Sequence, residues 1–203
     1  MDESTLERAP VVVEDLALTA FRLVKDKVGF ELDFTPETLP VLDHYLLSLR
    51  QSGAGQTEVA FVAPCAGAYF GEVVRRALPG VRWHCPTAGS EGGYEGWRLE
   101  WSHVFLWINP IGVAVEAITG EQAAGWNAHL SLLPAEREIV EQSLEQAGGV
   151  DPQDFFRLAI RYEVLEQATS VLETLAQRKG DTARAFGPDV YAAALGETPA
   201  IDA

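Results

Sequence analysis

The segment from Gln56 to Leu78 limits the folds open to this chain more than any other stretch. Val59, Phe61, Val62, Tyr69, Val73, Val74 and Leu78 make it too apolar for a helix lying on a surface, and Pro64 is expected to kink it or divide it in two. Ala63, Gly67 and Gly71 stand at i, i+4 and i+8, so they share one helical face and leave a groove that a backbone or a ring can enter. Glycine inside a helix costs about 1 kcal/mol relative to alanine. Two of them therefore call for a compensating contact with another element.

The flanking segments show what that element can be. Val11 to Val28 has the spacing of an amphipathic helix ended by Gly29, and Phe30, Leu32 and Phe34 alternate with acids as a short extended segment does. Thr35-Pro36 opens a helix with Leu39, Leu42, Leu46 and Leu49 on one face, with Pro40 early enough to bend it without destroying it. After Pro79-Gly80 the pattern changes. Trp97 to Trp101 alternates like a half-buried strand, and Val104 to Ile108 reads as a strand covered on both faces, with Gly89 to Gly96 as a hairpin connection.

Asn109-Pro110 caps a helix that stops at Gly120, and Pro134 to Ala147 forms a charged helix. Asp151-Pro152 marks the start of a long one, whose apolar seam runs through Phe155, Leu158, Tyr162, Leu165, Leu172 and Leu175 as far as Arg178. The fold class expected is α+β, helix-rich, with a small antiparallel sheet of about three strands packed on helices. Residues 10–133 form that domain, and residues 134–195 form a C-terminal helical region packed on it. The ends, Met1 to Ala9 and Gly196 to Ala203, are expected to fray.

Charge narrows the partners. Thirty Asp and Glu against 15 Lys and Arg give a net charge of -15, which repels phosphate backbones and anionic headgroups and so argues against nucleic acid and membrane surfaces. The same charge suits attraction to a basic partner protein. The first ten residues carry acids where a signal peptide has a basic region, and no run reaches the ~20 apolar residues of a membrane span. A cytoplasmic address is expected. Cys65 and Cys85 lack CxxC spacing and point to reduced thiols. A chain of this length can bury a core without metal, disulfide or cofactor, and no cofactor is expected.

The run Gly67-Ala68-Tyr69-Phe70-Gly71-Glu72, with Thr35-Pro36-Glu37-Thr38-Leu39 before it and Gly80-Val81-Arg82-Trp83 after it, resembles the GAYxGE signature of uncharacterised bacterial domains. The resemblance covers about residues 30 to 120, implies a compact α+β fold and supplies no activity.

Tyr69, Glu72, His103, Trp97 and Trp101 are the candidate binding residues. Tyr69 has a polar tip that needs a partner, and Glu72 can pair with Arg75 or Arg76 one turn on, or act on a ligand if it is buried. Trp97 and Trp101 share a strand face that would form a stacking platform if it were open, and would otherwise be core. Cys65 with His84 or His103 has the parts of nucleophilic catalysis but no motif around it, and an inert buried thiol explains it more simply. His84, Cys85 and His103 lack any recognised zinc spacing. The glycine-rich loop has no P-loop lysine and carries Glu91 and Glu95, against anion binding. The C-terminal seam could bury itself internally or pair with its copy in a homodimer. The function expected is a non-catalytic protein-interaction or regulatory factor of the immunity type. The alternative is a small-molecule binder or enzyme with its pocket between the GAYFGE helix and the sheet.

Overall fold

A computed structural model describes residues 8–86, 93–152, 154–181 and 183–197. Among these residues seven helices surround one four-stranded antiparallel sheet, an α+β fold rich in helix. The helices are α1 Val11–Val28, α2 Leu39–Ser52, α3 Gln56–Ala77, α4 Pro110–Thr119, α5 Pro134–Gln146, α6 Leu158–Lys179 and α7 Pro188–Leu195. The sheet is a meander of β1 Val81–His84, β2 Arg98–Trp101, β3 Leu106–Ile108 and β4 Ser131–Leu132. It has one strand more than the sequence indicates. β4 is two residues long, too short for any alternation to register, and is set by pairing Leu132 with Leu106.

α3 runs through the middle of the fold, and every residue from Val62 to Arg75 is buried. Pro64 does not divide it. The bond that proline cannot donate would have gone to the Ala60 carbonyl, and Ala60 lies at an exposed position where water can take its place. The glycine face is filled. A methyl group on Gly67 would fall 2.5 Å from the Ile111 Cα and 2.8 Å from the Pro110 carbonyl oxygen, and one on Gly71 would collide with the Trp83 ring. So the start of α4 and the first strand supply the contact that the two glycines call for.

α4 is held by its own ends. The Asn109 side-chain oxygen accepts bonds from the Ile111 and Gly112 N–H groups at 2.9 and 3.1 Å, and Gly120 closes the helix with φ 72°. The Phe30–Phe34 segment joins no strand; Phe34 takes φ 63°, and its N–H donates to the Tyr69 hydroxyl at 2.8 Å. The opening of α2 also differs from the expectation at Thr35. Residues Pro36–Thr38 form one 3-10 turn that the Thr35 side chain does not cap; the Thr35 N–H and hydroxyl both donate to the Asp33 carboxylate, at 2.9 and 2.7 Å.

Asp151-Pro152 opens only a turn, in which Asp154 and Phe155 donate to the Asp151 carbonyl. The long helix starts seven residues later, at Leu158, because the Asp43 carboxylate from α2 accepts its first N–H groups, Leu158 at 2.6 Å and Ala159 at 3.0 Å. Its seam packs within the chain against α2, α4 and α5. One sheet face, with Val81, Leu99, Trp101, Leu106 and Ile108, joins the main core. The other carries Arg82, Arg98, Glu100 and Trp107 and is covered by α7, where Phe105, Trp107, Phe186 and Tyr191 form a second apolar cluster. The Tyr191 hydroxyl lies 2.8 Å from the Trp101 carbonyl and 3.0 Å from that of Leu106. Glu197, in the segment expected to fray, is held by Arg98 with two bonds of 2.7 and 2.9 Å. Residues 198–203 of that segment, residues 1–7 of the N-terminal tail and residues 89–92 of the Gly89–Gly96 loop lie outside the described residues.

Gly67→Ala reads directly on the α3–α4 contact. Alanine usually stabilises a helix interior, but here overpacking against the Ile111 backbone is expected to cost about 1–3 kcal/mol, measured as a lower midpoint in urea unfolding. A stability equal to or above that of the parent would contradict the contact.

Candidate functional site

The candidate residues fall into three places. Tyr69 and Glu72 belong to one chain of contacts under α3. The Tyr69 ring lies 4.7 Å from the Phe34 ring, the Arg76 guanidinium covers Phe34 at 4.1 Å, and Arg76 pairs with Glu72 at 3.2 Å. Glu72 is buried and saturated. It accepts Arg75 Nε at 2.7 Å, a second Arg75 nitrogen at 2.9 Å and the Trp83 indole N–H at 2.9 Å. Burial alone would raise its pKa, but the bonds from Arg75 and Trp83 and the two guanidinium charges outweigh it and hold the carboxyl below its ordinary value. A carboxylate so occupied has no lone pair free for a substrate proton.

Trp97 meets Trp83 edge-on at 6.2 Å and Tyr94 at 5.0 Å, and both Trp97 and Trp101 are buried, so the stacking platform is not open. His103 stands apart, its Nε2 2.8 Å from the Glu173 carboxylate on the exposed side of α6. Cys65 is buried inside α3, donates to the Phe61 carbonyl at 3.3 Å, and has its thiol pKa raised by burial; the Cys85 thiol is pushed up to about 12 the same way. Neither is poised as a thiolate nucleophile. Among the described residues, no group of three or more His, Cys, Asp or Glu side chains could hold a metal ion, and no helix is long and apolar enough to cross a membrane.

Two further carboxylates are buried and paired. Glu100, on the face under α7, is held by Arg82 at 2.8 Å and Arg98 at 2.8 Å. Glu116 on α4 pairs with Arg161 of α6, accepts the Ala123 N–H at 3.0 Å and lies 3.2 Å from His129 Nε2. Among the described residues, neither lines a recess large enough for a ligand.

A recess of about 300 Å³ lies beside His103, lined also by Val104, Glu173, Ala176 and Gln177. Two more among the described residues are large enough for a ligand, and the larger of these, about 520 Å³, runs along the first half of α3 and is closed by the end of α4, Tyr94 and Trp126. Its walls are Val59, Ala60, Ala63, Pro64, Tyr94, Val115 and Trp126, with Glu95 its one charged residue. The small-residue stripe therefore divides, Gly67 and Gly71 covered and Ala63 lining this groove. The second recess, about 310 Å³, lies between α2 and the start of α6 and contains Asp43, His44, Arg50 and Arg157.

Sequence reading passed over both. The groove had a visible signal, since no Lys or Arg occurs in residues 51–74, 83–97 or 99–136, the three stretches that build it. The second recess had none, because it is made by residues far apart in the chain.

Glu72→Gln removes the carboxylate charge that Arg75, Arg76 and Trp83 surround, and the cost is expected near the lower end of the about 3–5 kcal/mol range for a broken buried pair. The lowered folded-state pKa fixes the pH window. Glu72 binds fewer protons folded than unfolded, so its contribution is complete above the unfolded value of 4.5 and is lost as pH falls through the folded one. The gap in stability between parent and Glu72→Gln, measured by urea unfolding across pH 3–7, should be constant above pH ~5 and close below it. No family model, curated protein or solved structure matches this chain.

Proposed function

We propose that this chain is a non-catalytic protein-binding module, in which the groove on α3 receives an apolar-faced, basic segment of a partner protein. The observation that carries this reading is the character of that groove: about 520 Å³ of apolar wall in a region without a lysine or arginine. Glu58 and Glu121 are exposed on the same stretches, and Glu95 lines the opening. Apolar side chains of the partner would fill the groove while its lysines or arginines meet these acids, which is how an amphipathic helix enters a groove. The Ala60 carbonyl, deprived of a helical donor by Pro64, adds an acceptor at the groove wall.

Two features weigh against an enzyme here. Glu95 is the groove's one charged side chain, and no second ionisable carboxylate, imidazole, thiol or amine lines the groove beside it. The three buried carboxylates that would attract notice, Glu72, Glu100 and Glu116, are each engaged by arginine. The net charge of -15 adds attraction for a basic partner at a distance and raises the rate of encounter.

A synthetic helical peptide with leucines on one face and lysines on the other is the probe. It should shift the emission of Trp126, the half-buried tryptophan on the groove. Ala60→Arg, at an exposed position, should weaken binding at least tenfold. A peptide of the same composition scrambled off one face should bind only through charge, and its binding should vanish in high salt. Equal binding by parent and Ala60→Arg, or by the two peptides at high salt, would rule the groove out.

A further inference from the structure

The recess between α2 and α6 differs from the groove in the charged groups it contains. Its walls are apolar, with Leu46, Leu47, Ala117, Phe156 and Ile160, but its polar groups converge: Arg50, Arg157, His44 and Asp43. A volume of about 310 Å³ falls at the small end of the range that holds organic ligands, roughly 300–1,000 Å³.

Arg50 is the anomaly in it. The chain has twice as many acids as bases, and the buried arginines Arg75, Arg98 and Arg161 all contact a carboxylate, as does the partly buried Arg82. Arg50 is partly buried, and its Nε is shut off from solvent, yet among the described residues no hydrogen-bond acceptor meets that nitrogen and no carboxylate forms an ion pair with the side chain. What it touches is weaker. The guanidinium lies 5.9 Å from the Phe156 ring centre and close against Gly120, at the negative end of the α4 dipole.

The acids nearby are already engaged. Asp43 spends its carboxylate on the Leu158 and Ala159 N–H groups, and Arg157 is paired with Asp154 at 3.1 Å. Burial pushes the Asp43 carboxyl up to about 6 against those two bonds; at neutral pH it stays mostly ionised, and its charge is answered by the first N–H groups of α6.

We propose that this recess binds a small carboxylate carried on an apolar body, its carboxylate paired with Arg50 and its body laid against Leu47 and Phe156. A planar guanidinium fork matches a carboxylate bidentately, and a pairing made in a partly buried site is stronger than one in open water. The proposal is independent of the α3 groove and of any partner protein.

Octanoate is the probe, with octanol as its uncharged counterpart, and binding is followed by calorimetry and by amide chemical shifts of the full chain. Octanoate should bind at least tenfold more tightly than octanol, with shifts centred on residues 43–50 and 156–160. Arg50→Gln should remove that preference. Leu47→Trp, at a partly exposed wall position, should block both ligands while leaving the fold intact, which covers the case in which Arg50→Gln does not fold. Ala60→Arg in the α3 groove should leave octanoate binding unchanged. Equal affinity for octanoate and octanol, unchanged octanoate binding in Leu47→Trp, or loss of binding in Ala60→Arg would each overturn the assignment.

Discussion

The rest of the structure depends on the close approach made possible by Gly67 and Gly71. With no Cβ at either position, the Pro110–Ile111 backbone and the Trp83 ring rest directly on α3. That approach fixes the start of α4 and the first strand against α3, and it brings the Trp83 indole within 2.9 Å of Glu72. The apolar contact comes first in this order of cause. Trp83 adds its bond to Glu72 only where its ring is held, while Arg75 and Arg76, on the same helix, balance a carboxylate that would otherwise be expensive to bury.

The same solution recurs at Glu100 and Glu116, each buried and each answered by arginine from a different element. Such pairs are weak evidence of net stabilisation, since a well-packed apolar replacement is often as stable. Their effect is on specificity. Arg161 can satisfy Glu116 only when α6 lies on α4, and Arg98 can hold both Glu100 and Glu197 only when the chain after α7 returns to the sheet. Each pair therefore penalises arrangements in which those elements sit elsewhere.

Local signals were legible and distant ones were not. Asn109 and Gly120 delimit α4 as read, because a cap is written in adjacent residues. The stripe at Gly67 and Gly71 announced a close contact, although not which element would make it. Asp151-Pro152 misled for the opposite reason: the group that starts α6 is Asp43, more than a hundred residues earlier, and no local pattern records it. Of the candidate site residues, Glu72 was legible as either paired or functional, and two arginines one turn along its own helix were its clearest signal. The openness of the Trp97 and Trp101 face was not, because it depends on what the rest of the fold lays over those rings.

Charge acquires a different meaning once the arginines are placed. Five of the chain's twelve, Arg75, Arg76, Arg82, Arg98 and Arg161, are engaged by three buried carboxylates. All but Arg76 are drawn inward, four cations to three acids, and the remaining surface is slightly more acidic than a net charge of -15 suggests. Against such a surface an apolar groove without cations and a recess built around an arginine without an anion are opposite features. The first lies within the prevailing field and suits a partner that the field attracts. The second is a local exception, and an anion that reaches it must be held by contacts at short range, because the long-range field opposes its approach.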